Sequence, residues 1–432
     1  MIWLELFCVL LALYIGSRLG GIAIGFAGGL GVAVLTLGFD LPAGTVPVDV
    51  ILIIMSVIAA ISAMQLAGGM DWLVSLAEGL LRKHPQRINY LAPCVTYVMT
   101  LVAGTGHTAF STLPVIAEVA KEQGIRPSRP LSIAVVASQI AITASPISAA
   151  LVFMSGLLEP LGVGYLELLA ILIPSSFGAC MVGAWVSSRM GVELHEDRVY
   201  KQRLEDGLIK KRERSVGVVK GAKASVWIFL VAVLLVIVYA TLISDKVAWI
   251  ENPSLARNEA IMVLMMSAAA IIILYCKADA SEITQQSTFR SGMSAAVCVL
   301  GVAWLGDTFV SNHIEEIKSF AGGVLSSHPW LLSVTLFFGS MLLYSQAATA
   351  QALMPMALAI GLMPIDLVAS FAAVSALFVL PTYPTLLAAI EMDGTGTTRI
   401  GKYVINHSFF IPGMATIVSA VAFAYLWARV LM

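Results

Sequence analysis

Charge is what this chain has least of. Of its 432 residues 12% are charged and 59% are hydrophobic, and mean hydropathy is +0.91. A soluble domain carries about 25% charged residues, so the composition excludes one and implies a polytopic membrane protein. The 25 Lys and Arg residues are balanced by 26 Asp and Glu, a net charge of −1, so no basic domain is present to bind nucleic acid. The five cysteines (Cys8, Cys94, Cys180, Cys276, Cys298) form no CxxC pair and read as small buried hydrophobes. No Cys/His cluster suggests a metal. His195-Glu196 lacks a second His at zincin spacing, and there is no GKS or GKT phosphate loop. With no nucleophile–base pair visible, an enzyme and a Walker-type ATPase are both set aside, and no cofactor is expected. The N-terminal run has neither a basic n-region nor a small-residue cleavage site, so it reads as the first membrane helix.

What is abundant is apolar sequence in lengths that span a bilayer, about 20 residues each. Spans fall near 2–17, 20–39, 50–68, 131–158, 164–188, 225–243, 258–276, 291–310, 365–391 and 403–431. Two further apolar segments, 88–120 and 329–362, are interrupted by polar residues. The halves share a pattern: three helices, an interrupted segment, a Pro-broken helix and a last helix. The spacing therefore predicts a first repeat over 1–188 and a second over 225–432, joined by a hydrophilic linker, 189–224. The hairpins lie at 88–120 and 329–362 and the broken helices at 131–158 and 365–391.

Loop charge orients these spans, because Lys and Arg collect on the cytoplasmic side. The linker carries ten such residues, and smaller basic loops occur at Arg82, Lys83 and Arg87, at Lys121, Arg126 and Arg129, and at Arg399 and Lys402. The loop 40–49 has Asp40 and Asp49 and no basic residue. These signs agree only if both interrupted segments are re-entrant hairpins. Each half then has five crossings and one hairpin. An odd number inverts the second half against the first and places both termini outside. This is the inverted-repeat plan of secondary transporters.

Backbone breaks at membrane depth are tolerated only where protein or a water-filled cavity covers them. The hairpin tips offer Thr105, Gly106, His107 and Thr108 in one half and Ser345, Gln346 and Thr349 in the other. The broken helices add Thr143 and Ser145, and Thr382, Tyr383 and Thr385. Hydroxyls, flexible glycines and half-helix N-termini suit a small anion without a full ion pair. Two such halves suit a substrate with two carboxylates. His107 would donate to a carboxylate or carry a proton. Asp307, inside an apolar span, is a candidate by position or the mark of a helix end. Asp393 and Arg399 bracket a Gly/Thr segment that reads as a gate or vestibule for anions or as a charged cytoplasmic loop. The glycine-rich run 21–31 repeats GxxxG spacing and reads as close helix packing.

Long motifs carry a resemblance across the whole chain. They include GGIAIGFAGGLGV (21–33), LPVIAEVAKEQGIRP (113–127), SQIAITASPISAA (138–150), LLYSQAATAQALMPMALA (342–359) and LPTYPTLLAAIEMDGTGTTRIGK (380–402). In these the chain closely resembles the anaerobic four-carbon dicarboxylate transporter (Dcu) family, nearest its DcuA-type members. The resemblance implies exchange of fumarate, succinate, malate and aspartate across the bacterial inner membrane, in support of anaerobic respiration. The family is in turn similar to the ion-transporter superfamily, which implies a homodimer working as an elevator, with a transport domain sliding against a scaffold. Sodium-coupled members of that superfamily carry Ser-Asn-Thr at the tips. Here the tips read Gly-Thr-Gly-His-Thr and Ser-Gln-Ala-Ala-Thr, without those Asn residues, which argues against sodium coupling by the same site; the coupling ion, proton or sodium, stays open. The expectation is an all-α antiporter in contact with membrane lipid. Its rivals are a carrier for another small anion and a dicarboxylate-binding sensor or accessory subunit that signals through the linker.

Overall fold

The computed structural model describes residues 2–19, 22–46, 48–209, 221–243, 249–250, 253–313, 315–316, 327–343, 345–380, 383–401 and 406–432. Every regular element among them is helical apart from one isolated bridge between Ile400 and His407. The first half runs α1 (Ile2–Leu19), α2 (Ala23–Ala33), α3 (Val48–Leu66), α4 (Gly69–Lys83), α5 (Ile88–Ala103), α6 (Ala109–Glu122), α7 (Ser128–Ile140), α8 (Ala149–Leu158) and α9 (Tyr165–Ser188). A short α10 (Arg198–Glu205) lies in the connector. The second half runs α11 (Ala222–Leu242), α12 (Arg257–Cys276), α13 (Ser287–Asn312), α14 (Leu331–Leu343), α15 (Gln346–Ala359), α16 (Pro364–Ser370), α17 (Pro384–Met392) and α18 (Phe410–Leu431).

Among the described residues every span read from hydropathy overlaps a helix or a helix pair, the last beginning only at Phe410. Six helical stretches among the described residues are long and apolar enough to cross a membrane, and α3 with α4, bent by 69°, makes a seventh. The chain is a multi-pass membrane protein. The stretch after the span 50–68, read from sequence as a polar loop carrying Arg82, Lys83 and Arg87, is corrected. Residues 69–83 form α4, entered through a turn at Gly68, whose φ of 80° suits glycine. Hydropathy windows miss it because it is amphipathic. Leu73, Val74, Ala77 and Leu81 recur at helical spacing and pack on the large core, while Arg82 pairs with Glu78 and with Glu122 of α6.

The buried side chains divide into one large core and several small ones. The large core joins α4–α9 with α14–α18, that is, α4, both interrupted segments, both broken helices and the helix after each. The smaller cores are built from α1–α3 and α11–α13. The two groups touch at several places. Ile147 and Val152 of the first break and α8 sit against α3, α11 and α12, Ala348 and Ala352 of α15 against α2 and α13, and Met70, Trp72 and Leu73 of α4 against the core of α3, α11 and α12; α1 also packs on α14. The glycines of α2 do what their spacing implies. A Cβ at Gly301 of α13 would overlap the Gly25 carbonyl, and one at Gly28 would overlap Gly301, so the two backbones touch. Asp307 lies within α13, five residues before its end at Asn312. Its carboxylate accepts from the Thr45 N–H at 2.6 Å and the Thr45 hydroxyl at 2.9 Å, fastening the α2–α3 loop to α13.

Candidate functional site

Each interruption has a local cause. Helix α5 stops at Gly104, which adopts φ 66° and donates its N–H to the Thr100 carbonyl at 2.8 Å, a left-handed C-cap. After residues 104–108 the chain returns as α6. In the second half Ser345 is the N-cap of α15, its hydroxyl accepting from the Ala348 N–H at 3.2 Å. Helix α7 tightens to a 3-10 turn at Ala141–Ala144 and then extends, because Pro146 lacks an N–H to continue it. Ser148 restarts the chain as α8 by capping Leu151 at 3.1 Å. The second broken helix repeats the plan. After α16 comes a 3-10 stretch, Phe371–Phe378, with non-helical Ser375 and Ala376, and then α17 begins with Pro384 as its first residue.

These pieces converge on one turn at the end of α7. The first hairpin tip reaches it through Gly106, where a Cβ would lie 3.1 Å from the Ser138 carbonyl. The second reaches it through Gln346, whose Nε2 donates to the Gln139 carbonyl at 3.1 Å. Ser375, in the second break, donates to the same carbonyl at 3.4 Å. The Gln139 side chain donates from Nε2 to the Thr385 hydroxyl of α17 at 3.4 Å. In each half a serine also ties the break to the first arm of its hairpin. Ser145 donates to the Leu101 carbonyl at 2.7 Å, and Ser340 donates to Ala373 at 3.2 Å while accepting from Ala376 N–H at 3.2 Å.

Of the residues singled out from sequence, Gly106, Gln346 and Thr385 meet at this turn, and Ser145 supports it. Thr108 faces Thr100, hydroxyl to hydroxyl at 3.1 Å, and donates to the Thr105 carbonyl at 3.2 Å. Thr143 and Thr349 donate to carbonyls of their own turns, Ile140 and Ser345, both at 2.7 Å. Tyr383 is half-buried at the N-cap of α17. Thr382 and the side chain of His107 lie outside the described residues. Sequence reasoning passed over Gln139 and Ser375. The signal was there for Gln139: it is the one amide in the apolar run 131–144, and a buried amide needs partners.

The gate candidates belong to a different region. Asp393 is 1% exposed, and its carboxylate is fully engaged by its own loop. It accepts from the N–H and hydroxyl of Thr395, from the Thr397 hydroxyl at 2.9 Å and from the Thr398 N–H at 2.7 Å. Thr397 then accepts from the Ser128 N–H at 3.2 Å, which fixes the loop to the start of α7. Arg399 is exposed. The connector docks here as well. Arg126 pairs with Asp197 at 2.5 Å, both side chains under 10% exposed, and Arg203 of α10 donates to the Gly394 carbonyl at 3.1 Å. The linker, expected to be a surface connector, is thus held in its first part by a buried ion pair.

Burial pushes the Asp197 carboxyl up. The Tyr200 N–H, the Arg126 guanidinium and the Val199 N–H outweigh it and hold the group below its usual range. A lowered folded value means stabilisation that is present above about pH 3.9 and lost as pH falls through the folded value. Arg126→Ala leaves Asp197 buried without its cation and is expected to cost about 3 kcal/mol. Thermal unfolding in detergent at neutral pH checks this, and an unchanged midpoint would refute it.

The family and sequence comparisons extend over essentially the full length. Residues 1–432 match the family described as the anaerobic C4-dicarboxylate membrane transporters, DcuA and DcuB. The chain is 62% identical to the C4-dicarboxylate transporter DcuA of Wolinella succinogenes, covering 100% of both chains. It is 56% identical to the DcuA of Escherichia coli K12, with 99% of each covered. It is 36% identical to an Escherichia coli anaerobic C4-dicarboxylate transporter DcuB, with 98% of each covered. The solved YdaH transporter of Alcanivorax borkumensis aligns at 13% identity and a TM-score of 0.49, over 87% of this chain and 83% of that one.

Proposed function

Starting from the fact that the chain belongs to the anaerobic C4-dicarboxylate membrane transporter family, we propose that it exchanges fumarate for succinate, and carries malate and aspartate, at the turn around Gln139. The observation that carries the reading is the meeting of both hairpins and both broken helices at that turn. Uncharged donors and the N-termini of α6, α8, α15 and α17 suit a dianion, because oriented N–H groups and helix dipoles stabilise carboxylates without a fixed cation. An exchanger gains from this design. A site with no permanent positive charge releases its anion more readily than one that holds it by ion pairs.

The packing favours two inverted repeats, because helix contacts survive an exchange of halves. α2 packs on α13 as α12 packs on α3, α8 on α15 as α17 on α6, and α7 on α9 as α16 on α18. The division into one large core and a set of smaller ones favours an elevator. In that reading the hairpins and broken helices move together past a scaffold of α1–α3 and α11–α13. The scaffold would form a homodimer, the basic connector would face the cytoplasm of the bacterial inner membrane, and both termini would lie outside. A proton or sodium ion would accompany net uptake where exchange is not at work.

Reconstitution tests this directly. Labelled fumarate should enter liposomes holding the protein when they are loaded with succinate, and enter empty ones far more slowly. Equal uptake into empty vesicles under an imposed ion gradient would instead establish symport. No uptake of any four-carbon dicarboxylate would overturn the transport reading.

A further inference from the structure

Gln139 carries more than a structural bond. It is 1% exposed, its carbonyl takes two donors from the other half, and its amide nitrogen is spent on Thr385. Its Oε1, however, is buried with no hydrogen-bond partner among the described residues. An unsatisfied buried amide oxygen is costly, and native proteins rarely leave one without a reason. The orphan lies at the junction of both hairpins and both breaks, where the ligand of a binding site would sit.

The chemistry of the orphan says what would meet it. Oε1 accepts and never donates. A substrate carboxylate at neutral pH also only accepts, so the two repel rather than pair. Donors in a four-carbon dicarboxylate exist only when its second carbon is substituted, by a hydroxyl or an ammonium. Fumarate and succinate have neither.

We propose that the unpartnered Oε1 of Gln139 reads the substituent on the second carbon of the substrate, accepting a hydrogen bond from a 2-hydroxy or 2-ammonio group and so favouring malate and aspartate over unsubstituted dicarboxylates. The inference rests on the transport reading above and gives one residue a role in specificity. The expected discrimination is large for one contact. A site built to bond a polar group rejects an analogue that lacks it, because its own buried partner is left unpaired. The opposite orientation of the amide has a distinct consequence. With the Thr385 hydroxyl donating to Oε1, Nε2 would face the site, and an N–H there favours carboxylates of all four substrates alike.

The test uses the full-length protein in liposomes, with labelled fumarate exchanged against succinate and unlabelled competitors outside. Gln139→Met keeps the length and volume of the side chain and removes the amide. Whatever the change in overall exchange rate, the concentrations of L-aspartate and L-malate that halve uptake should rise about ten-fold or more relative to those of fumarate and succinate. A parallel loss for all four overturns the inference, as does no change. A second measurement needs no variant. With wild type, L-malate should compete at least about ten-fold better than 2-methylsuccinate, which matches its size without the donor. Equal competition overturns the inference. Failure of wild type to take up any of the four substrates would sink the transport reading and this inference with it. Uptake with unselective competition sinks this inference alone.

Discussion

Gly106→Val is expected to cut fumarate–succinate exchange at least about ten-fold while leaving the protein folded. The first branch atom alone would sit 3.1 Å from the Ser138 carbonyl and 3.4 Å from the Ile142 side chain. Valine adds two methyl groups beyond that point. The Ser138 carbonyl belongs to α7, packed on every side by the large core, so it cannot retreat. The hairpin tip must lift instead, and the distance between the two halves of the site grows. Gly106→Ala, with the branch atom only, should fall between. The readings are initial exchange rates in liposomes and, as a control, monodisperse elution of the purified variant. Near-normal exchange by the valine variant would show that the tip does not have to approach the α7 turn for transport.

A larger effect on stability is expected at Gly301. A side chain there would enter the Gly25 carbonyl, so backbone meets backbone and no rotamer relieves the overlap. Overpacking costs about 1–3 kcal/mol where side chains can move. Here the two helices must separate, and Gly301→Val is expected to exceed that range and to lose most folded protein. Gly29, in the same glycine run, provides the control, since a branch atom there meets nothing within 4 Å. Gly29→Ala should therefore leave both the yield and the thermal midpoint in detergent unchanged. A Gly301→Val protein as stable as wild type would contradict the close crossing of α2 and α13.

Both expectations draw on features that differ in how visible they were in advance. The glycine run 21–31 announced close packing by its spacing, yet its partner, Gly301, is one of three glycines in α13 (Gly292, Gly301 and Gly306) at no GxxxG spacing. The hairpin tips stood out because polar residues interrupt apolar segments, which lipid does not allow without cover. Helix α4 did not stand out, because half of its surface is polar and mean hydropathy dilutes the apolar stripe of Leu73, Val74, Ala77 and Leu81. Asp393 reads from sequence as part of an anion gate or vestibule or as a charge in a cytoplasmic loop. Its carboxylate is spent within its own loop, which no count of charges along the chain reveals.

The sequence by itself determined the class of protein, the positions of the spans, the places where they break and the family. Those properties depend on hydropathy, proline, glycine and residue identity, all local along the chain. Only the tertiary structure decided that the breaks meet at Gln139, that Ser375 and Gln346 share its carbonyl, and that one amide oxygen is left over. Those contacts join residues more than 200 positions apart in the chain. Their pairing is set by the crossing of helices, and hydrogen-bond satisfaction in a buried site is settled only after each donor has a neighbour to choose.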